Sequence, residues 1–199
     1  MSKILRILLC GAVFLIFSNV SAAVTPISIS IVPPIQFPPQ NFTVAGARVS
    51  ALWGQHGHVY GLDIGVIGNI TTQDFGGIAV SGIFNRNYGT TTVVGLQLAG
   101  IANINTQKTN VVGLQVASVN SNTGTSTVTG LQIGIVANLS SHTKVYGFQI
   151  GAYNAADEVY GFQIGIINKA NSLHGLQIGL INFHEKGVFR VCPILNFGF

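Results

Sequence analysis

The residues of this chain that could do chemistry are few and scattered. His56-Gly57-His58 brings two imidazoles close together, but two histidines are half of a tetrahedral metal site and no suitable third or fourth ligand follows nearby. His142, His174 and His184 stand apart from them and from one another. No Ser-His-Asp order, paired carboxylates or Cys-His couple stands out, and five acidic residues leave little material for general acid–base work. The expectation is a protein that is not an enzyme and carries no cofactor or metal. Three charges do sit inside apolar runs, namely Arg48, Asp63 and Arg190. A strand alternates its side chains between two faces, which puts Arg48 with Gly46 and Ser50, and Arg190 opposite Phe189 and Val191. All three therefore belong to a small or polar face.

The elements that must position these residues repeat. Gly130-Leu131-Gln132-Ile133-Gly134, Gly147-Phe148-Gln149-Ile150-Gly151, Gly161-Phe162-Gln163-Ile164-Gly165 and Gly175-Leu176-Gln177-Ile178-Gly179 are copies of one phrase, each followed by apolar residues and an Asn. Looser copies open at Gly95 and Gly113 and degenerate ones at Gly61 and Gly77, so the starts step by 16, 18, 18, 17, 17, 14 and 14 residues. Such a period means one small unit used many times. Asp63 holds the place in its unit that Gln97, Gln115, Gln132, Gln149, Gln163 and Gln177 hold in theirs.

Within a unit, Tyr160, Phe162, Ile164 and Ile166 share one face while Gly161, Gln163 and Gly165 share the other, with Ile167 joining the second set near the end. Short β-branched runs between hydrophilic spacers such as Asp157-Glu158 and Asn171-Ser172 predict an all-β fold. An antiparallel β-meander closed into a membrane β-barrel of about ten strands accounts for this pattern. Strands of about ten residues match a tilted bilayer crossing, lipid covers the apolar face, and Arg48, Asp63, the six glutamines and Arg190 line the interior. A barrel this small is filled by its own side chains. Closure then pairs the strand at 43–54 with the one at 188–199. The alternative is an exported β-solenoid with the apolar face inward and the glutamines outside. It has to explain why spacers such as 121–127 are nearly all polar. Asn follows the leading Gly by eight residues in some units and seven in others, which predicts β-bulges.

The ends set the location. Lys3 and Arg6 precede an apolar run, Ile7 to Phe17, and small residues up to Ala22, the pattern of a secretory signal peptide over residues 1–22. Five of the six prolines fall in residues 23–42, which reads as an extended leader, and 43–199 as a single repeat-built β domain. After processing, seven basic residues face five acidic ones, a balance of about +2 that excludes a nucleic-acid footprint despite a pI near 9.3. Only Cys192 then remains, so no intramolecular disulfide forms. A charged fraction of 7 % is far below that of soluble domains, so the surface is either buried in something other than water or covered by uncharged polar groups.

Phe189, Val191, Leu195, Phe197 and Phe199 alternate at the end of the chain and resemble the C-terminal assembly strand of bacterial outer-membrane barrels, with Pro193 as a departure. The repeats as a whole resemble a family of bacterial surface-repeat proteins built from Gly-Leu-Gln-Ile-Gly-Leu-Ile-Asn units with a Pro-Ile-Leu-Asn-Phe-Gly-Phe ending, here 175–182 and 193–199. The resemblance implies an exported, envelope-associated protein and brings no catalytic residues. Together these features predict a surface or structural barrel, or a narrow pore, in the outer membrane. Its partners would be lipid and the outer-membrane assembly machinery. A secreted or cell-surface adhesin, or binding surface, is the second possibility.

Overall fold

The computed structural model describes residues 23–199, so the signal-peptide segment at 1–22 lies outside the described residues. Every element is a β-strand, β1 (Val24–Val32) through β13 (Val191–Gly198). The fold is a parallel β-solenoid, which corrects the expectation of an antiparallel meander and of a barrel. β3 (Thr43–Ser50), β5 (Val59–Gly65), β7 (Phe75–Ser81), β9 (Thr91–Ala99) and β11 (Thr109–Asn122) pair parallel in that order, and β11 continues onto β12, a strand run over Ser126–His184. A second parallel sheet runs through β4 (Trp53–His56), β6 (Gly68–Thr71), β8 (Phe84–Asn87) and β10 (Ala102–Asn105) to the second half of β11.

Each repeat is thus a full coil of two strands and two bends, where the sequence suggested one strand and one turn. The hidden bend lies at Val66-Ile67, Gly82-Ile83, Gly100-Ile101 and their equivalents, where the glycines sit among apolar residues and no hydrophilic turn cluster marks the corner. Ile167 changing sides after Ile166 was its trace. Register explains why stacking wins over a meander. Gly113, Leu114 and Gln115 lie directly beside Gly95, Leu96 and Gln97 on one side and Gly130, Leu131 and Gln132 on the other. Like thus meets like, and amide side chains can bond along the stack. The seven-or-eight spacing to Asn is absorbed at the same bend, where pairing slips between Ala117 and Val119.

β1, inside the proline-rich stretch, forms the first layer on β3, and β2 (Ile35–Phe37) folds back against it antiparallel. β13 lies antiparallel on the last coil, pairing Leu176 with Phe197 and Ile178 with Leu195. Among the described residues β3 pairs only with β1 and β5, and β13 only with β12. The strands at 43–54 and 188–199 therefore sit at opposite ends of the stack, and there is no closure.

One column carries the steric logic of the stack. Gly46, Gly61, Gly77, Gly95, Gly113, Gly130, Gly147, Gly161 and Gly175 all hold positive φ, from +126° to +153°. A Cβ on any of the last eight would fall inside van der Waals contact of the preceding glycine's carbonyl oxygen. The leading Gly of the phrase is a backbone requirement.

Candidate functional site

The inside of the coil is polar. Gln97, Gln115, Gln132, Gln149, Gln163 and Gln177 are all buried and face inward. The solenoid alternative placed them outside, and the structure corrects that sidedness. Each Nε2 donates to the Oε1 of the preceding layer, from Gln115 to Gln97 at 2.8 Å through to Gln177 to Gln163 at 2.7 Å. A parallel column of eight asparagines, Asn69 to Asn182, runs down the same interior. Each Nδ2 donates to the Oδ1 of the following layer at 2.7–3.0 Å. It donates as well to a strand carbonyl of that layer, as Asn120 does to Ile133 at 2.9 Å. Buried amides cost little when both ends are bonded, so the ladders replace the apolar core that the polar spacers cannot supply. The larger buried apolar side chains form one column through Val44, Val59, Val111, Val145 and Leu173, with Phe75 among them, and the other buried apolar residues are alanines such as Ala79 and Ala170.

Arg48 and Asp63 continue the glutamine column at the first coils, with Ala79 between Asp63 and Gln97. Both are buried and form a bidentate pair, Nε to Oδ1 and Nη2 to Oδ2 at 2.7 Å each. Arg48 Nη1 also donates to the Ile70 carbonyl at 2.9 Å and lies 3.4 Å from His56 Nδ1. The guanidinium needs room, so Gly54 stands where later coils carry Asn. A Cβ there would press on Ser50, Ser30 and Arg48. Removing an Asn from that place leaves the Oδ1 of Asn69 as the ladder's orphaned end.

Arg190 does not join the pair. It is exposed on the bend before β13, where its carbonyl accepts from the His184 amide. Phe189, Val191, Leu195, Phe197 and Phe199 are exposed on or beside the capping strand β13. The histidines also separate. His56 points into the core, His58 lies 3.4 Å from Asp74, His174 stacks on Tyr160, and His184 accepts from the Leu173 amide. No three His, Cys, Asp or Glu side chains come together among the described residues. What the interior does chemically is hold itself together.

Burial, then the Arg48 charge, lowers the His56 pKa from 6.5 to about 4. The unfolded imidazole takes a proton below about pH 6.5 while the folded one does not. Stability is therefore undiminished above that pH, falls as pH drops from 6.5 toward 4, and levels off below. The loss is about 3 kcal/mol. Urea midpoints across this window should show the decline relative to His56→Gln, and parallel curves for the two proteins would refute it.

The outer surface carries rows that the sequence shows only strand by strand. Leu62, Ile78, Leu114, Phe148 and Leu176 fall in one outward row, and Ile64, Val80, Val116, Ile150 and Ile178 in the next. β1 and β13 extend both rows, through Ile27 and Ile29 at one end and Phe197 and Leu195 at the other, giving eleven layers without a charge. The hidden bend adds a third apolar row, including Val66, Ile101, Ile135, Ile166 and Leu180, all exposed. A shallow groove of about 370 Å³ runs between the bend and the flank at Ile135, Ile150 and Ile164. The opposite edge carries Asp74, Lys108, Asp157, Glu158 and Lys186, with Lys144 paired to Glu158 at 2.9 Å and Lys169 to Glu185 at 3.5 Å beside it. Between the charged edge and the apolar rows, Tyr146, Tyr160 and His174 stack at 4.8 and 4.5 Å. The alternation announced the two flank rows, which the barrel reading faced outward toward lipid; it announced neither their stacking in parallel register nor the bend row.

No family model, curated protein or solved structure matches the chain.

Proposed function

We propose that this chain is an exported, non-catalytic β-solenoid that works as a binding surface, at the cell surface or released from it. The observation that supports this most is the apolar flank, kept in register over eleven layers on the outside of a rigid stack. Proteins rarely leave so large a contiguous apolar patch without a partner. The rigid polar interior suits a scaffold, since the ladders hold the outer rows at a fixed spacing of about 4.8 Å. The signal-peptide pattern and the resemblance to bacterial surface-repeat proteins support export.

The test is capture. Beads carrying the chain should adhere to octyl-coated surfaces and not to hydroxyl-coated ones. Leu96→Gln, Leu114→Gln and Leu131→Gln combined should cut adhesion at least about tenfold, because three apolar side chains leave the contact. The β-sheet circular dichroism should persist, as all three point outward and are only half-buried. Undiminished capture by a folded variant would remove the flank as the binding surface.

A further inference from the structure

We infer that the occupant of the apolar surface is the acyl region of a lipid bilayer, with the solenoid lying along the membrane and its charged edge toward water. This rests on the binding-surface reading and names its partner.

The cross-section of the coil is amphipathic. In most layers the chain passes from the apolar flank, around an apolar bend that Ser118 interrupts, along a second sheet that carries Arg86 and Lys169, and into a polar bend where most other ionic side chains gather. A second copy is the obvious competitor, and shape rather than area speaks against it. The flank spans eleven layers of about 4.8 Å and two rows of about 6.6 Å, giving roughly 700 Å². Stable interfaces bury about 600–1,000 Å² per partner, so the flat face alone has room for either occupant. The most exposed apolar residues lie beyond that flat face on the convex bend, where Ile135 is 72 %, Val66 67 %, Leu180 66 % and Ile166 55 % exposed. A rigid flat partner seated on the flank cannot wrap the bend as well. Fluid acyl chains conform to both.

Two further observations agree with lipid. Hydrogen bonds between layers run along the stack, so the sides of the solenoid present few unpaired backbone groups to hydrocarbon. The Tyr146–Tyr160–His174 stack lies on the line between apolar rows and charged edge, where a headgroup boundary favours rings with one apolar and one polar side. Lys144–Glu158 and Lys169–Glu185 cancel one another, so attraction to anionic headgroups adds little.

The experiment uses vesicles of zwitterionic phosphatidylcholine and the chain in a Cys192→Ser background. Single cysteines at Ile135→Cys, Leu180→Cys and Asp157→Cys carry a polarity-sensitive fluorophore. The chain should float with the vesicles to the same extent at about 50 and about 500 mM salt, since apolar burial is not screened. Emission should shift blue at positions 135 and 180 and stay unchanged at 157. Ile135→Asn, Ile166→Asn and Leu180→Asn combined should lower partitioning at least about tenfold with the fold intact. Absence of flotation overturns the proposal, and so does an equal shift at position 157. A chain that ignores vesicles, doubles its mass in solution and still adheres to octyl surfaces has a second copy as its occupant. That result leaves the binding surface standing while removing lipid. Failure on octyl surfaces and vesicles together removes both.

Discussion

Replacing Gly77 by alanine should break the stack, while the same change at Gly76, one residue earlier, should be nearly silent. Gly77 has φ of +136°, and its added Cβ would collide with the Gly61 carbonyl and lie against the Gly61 backbone. Neither backbone can retreat without losing layer-to-layer hydrogen bonds on both sides. Strain of about 1–3 kcal/mol from the dihedral adds to a comparable term from overpacking, for a total of about 2–6 kcal/mol. At Gly76 a Cβ meets the rim of the Tyr60 ring at 3.1 Å, and that ring is partly exposed and free to turn. The expected loss there is within about 1 kcal/mol. Because a solenoid is held by nearest-neighbour contacts, hydrogen exchange should accelerate most in the coils next to Gly77. Equal urea midpoints for the two variants would contradict the steric role of the column.

The second large effect concerns ladder direction. Asn120 accepts from Asn103 at 2.9 Å and donates to Ile133 O at 2.9 Å and to Asn138 Oδ1 at 2.8 Å. Asn120→Asp keeps the shape but turns an ionised oxygen toward two acceptors in a dry interior. The expected cost at neutral pH is about 4 kcal/mol or more. Burial raises the pKa of the new carboxyl in the folded state. The folded protein then holds its proton to higher pH than the unfolded one, so stability is lost as pH rises from about 4 through the raised value and returns in acid. Asn120→Leu also removes the bonds, yet its deficit relative to the unaltered protein should be flat with pH. Urea midpoints from pH 3 to 8 separate the two, and a pH-independent Asn120→Asp deficit would mean that the column does not donate in this direction.

How much of this was legible can be judged from a single coil. Gln163 and Ile164 announced opposite faces correctly, and the repeat period announced a fold made of one unit. What the pattern does not encode is which face is inside. The barrel reading put Gln163 inside and Ile164 toward lipid, the solenoid reading put them the other way round, and the alternation alone does not choose between them. Only stacking in register lets Gln163 bond Gln149 and Gln177, and that partnership is invisible in one strand taken alone. The bend at Ile166 escaped for a related reason. Its residues are apolar and its glycine, Gly165, belongs to the repeated phrase, so no hydrophilic cluster marks the turn. Arg48 and Asp63 were correctly placed on one face, but their pairing depends on adjacent layers of a parallel sheet. Arg190 was misjudged by the same alternation, since it sits on a bend where strand rules do not apply.

The opposed directions of the two amide ladders have an electrical consequence. Every interior asparagine of the long column points its N–H toward later coils, and every interior glutamine points its N–H toward earlier ones. The side-chain dipoles of one column therefore offset those of the other, and no growing pole of charge builds at either end as coils are added. An α-helix gains such a pole with its aligned peptides. Here the field stays local however long the array becomes, so the number of repeats can change without an electrostatic penalty at its ends.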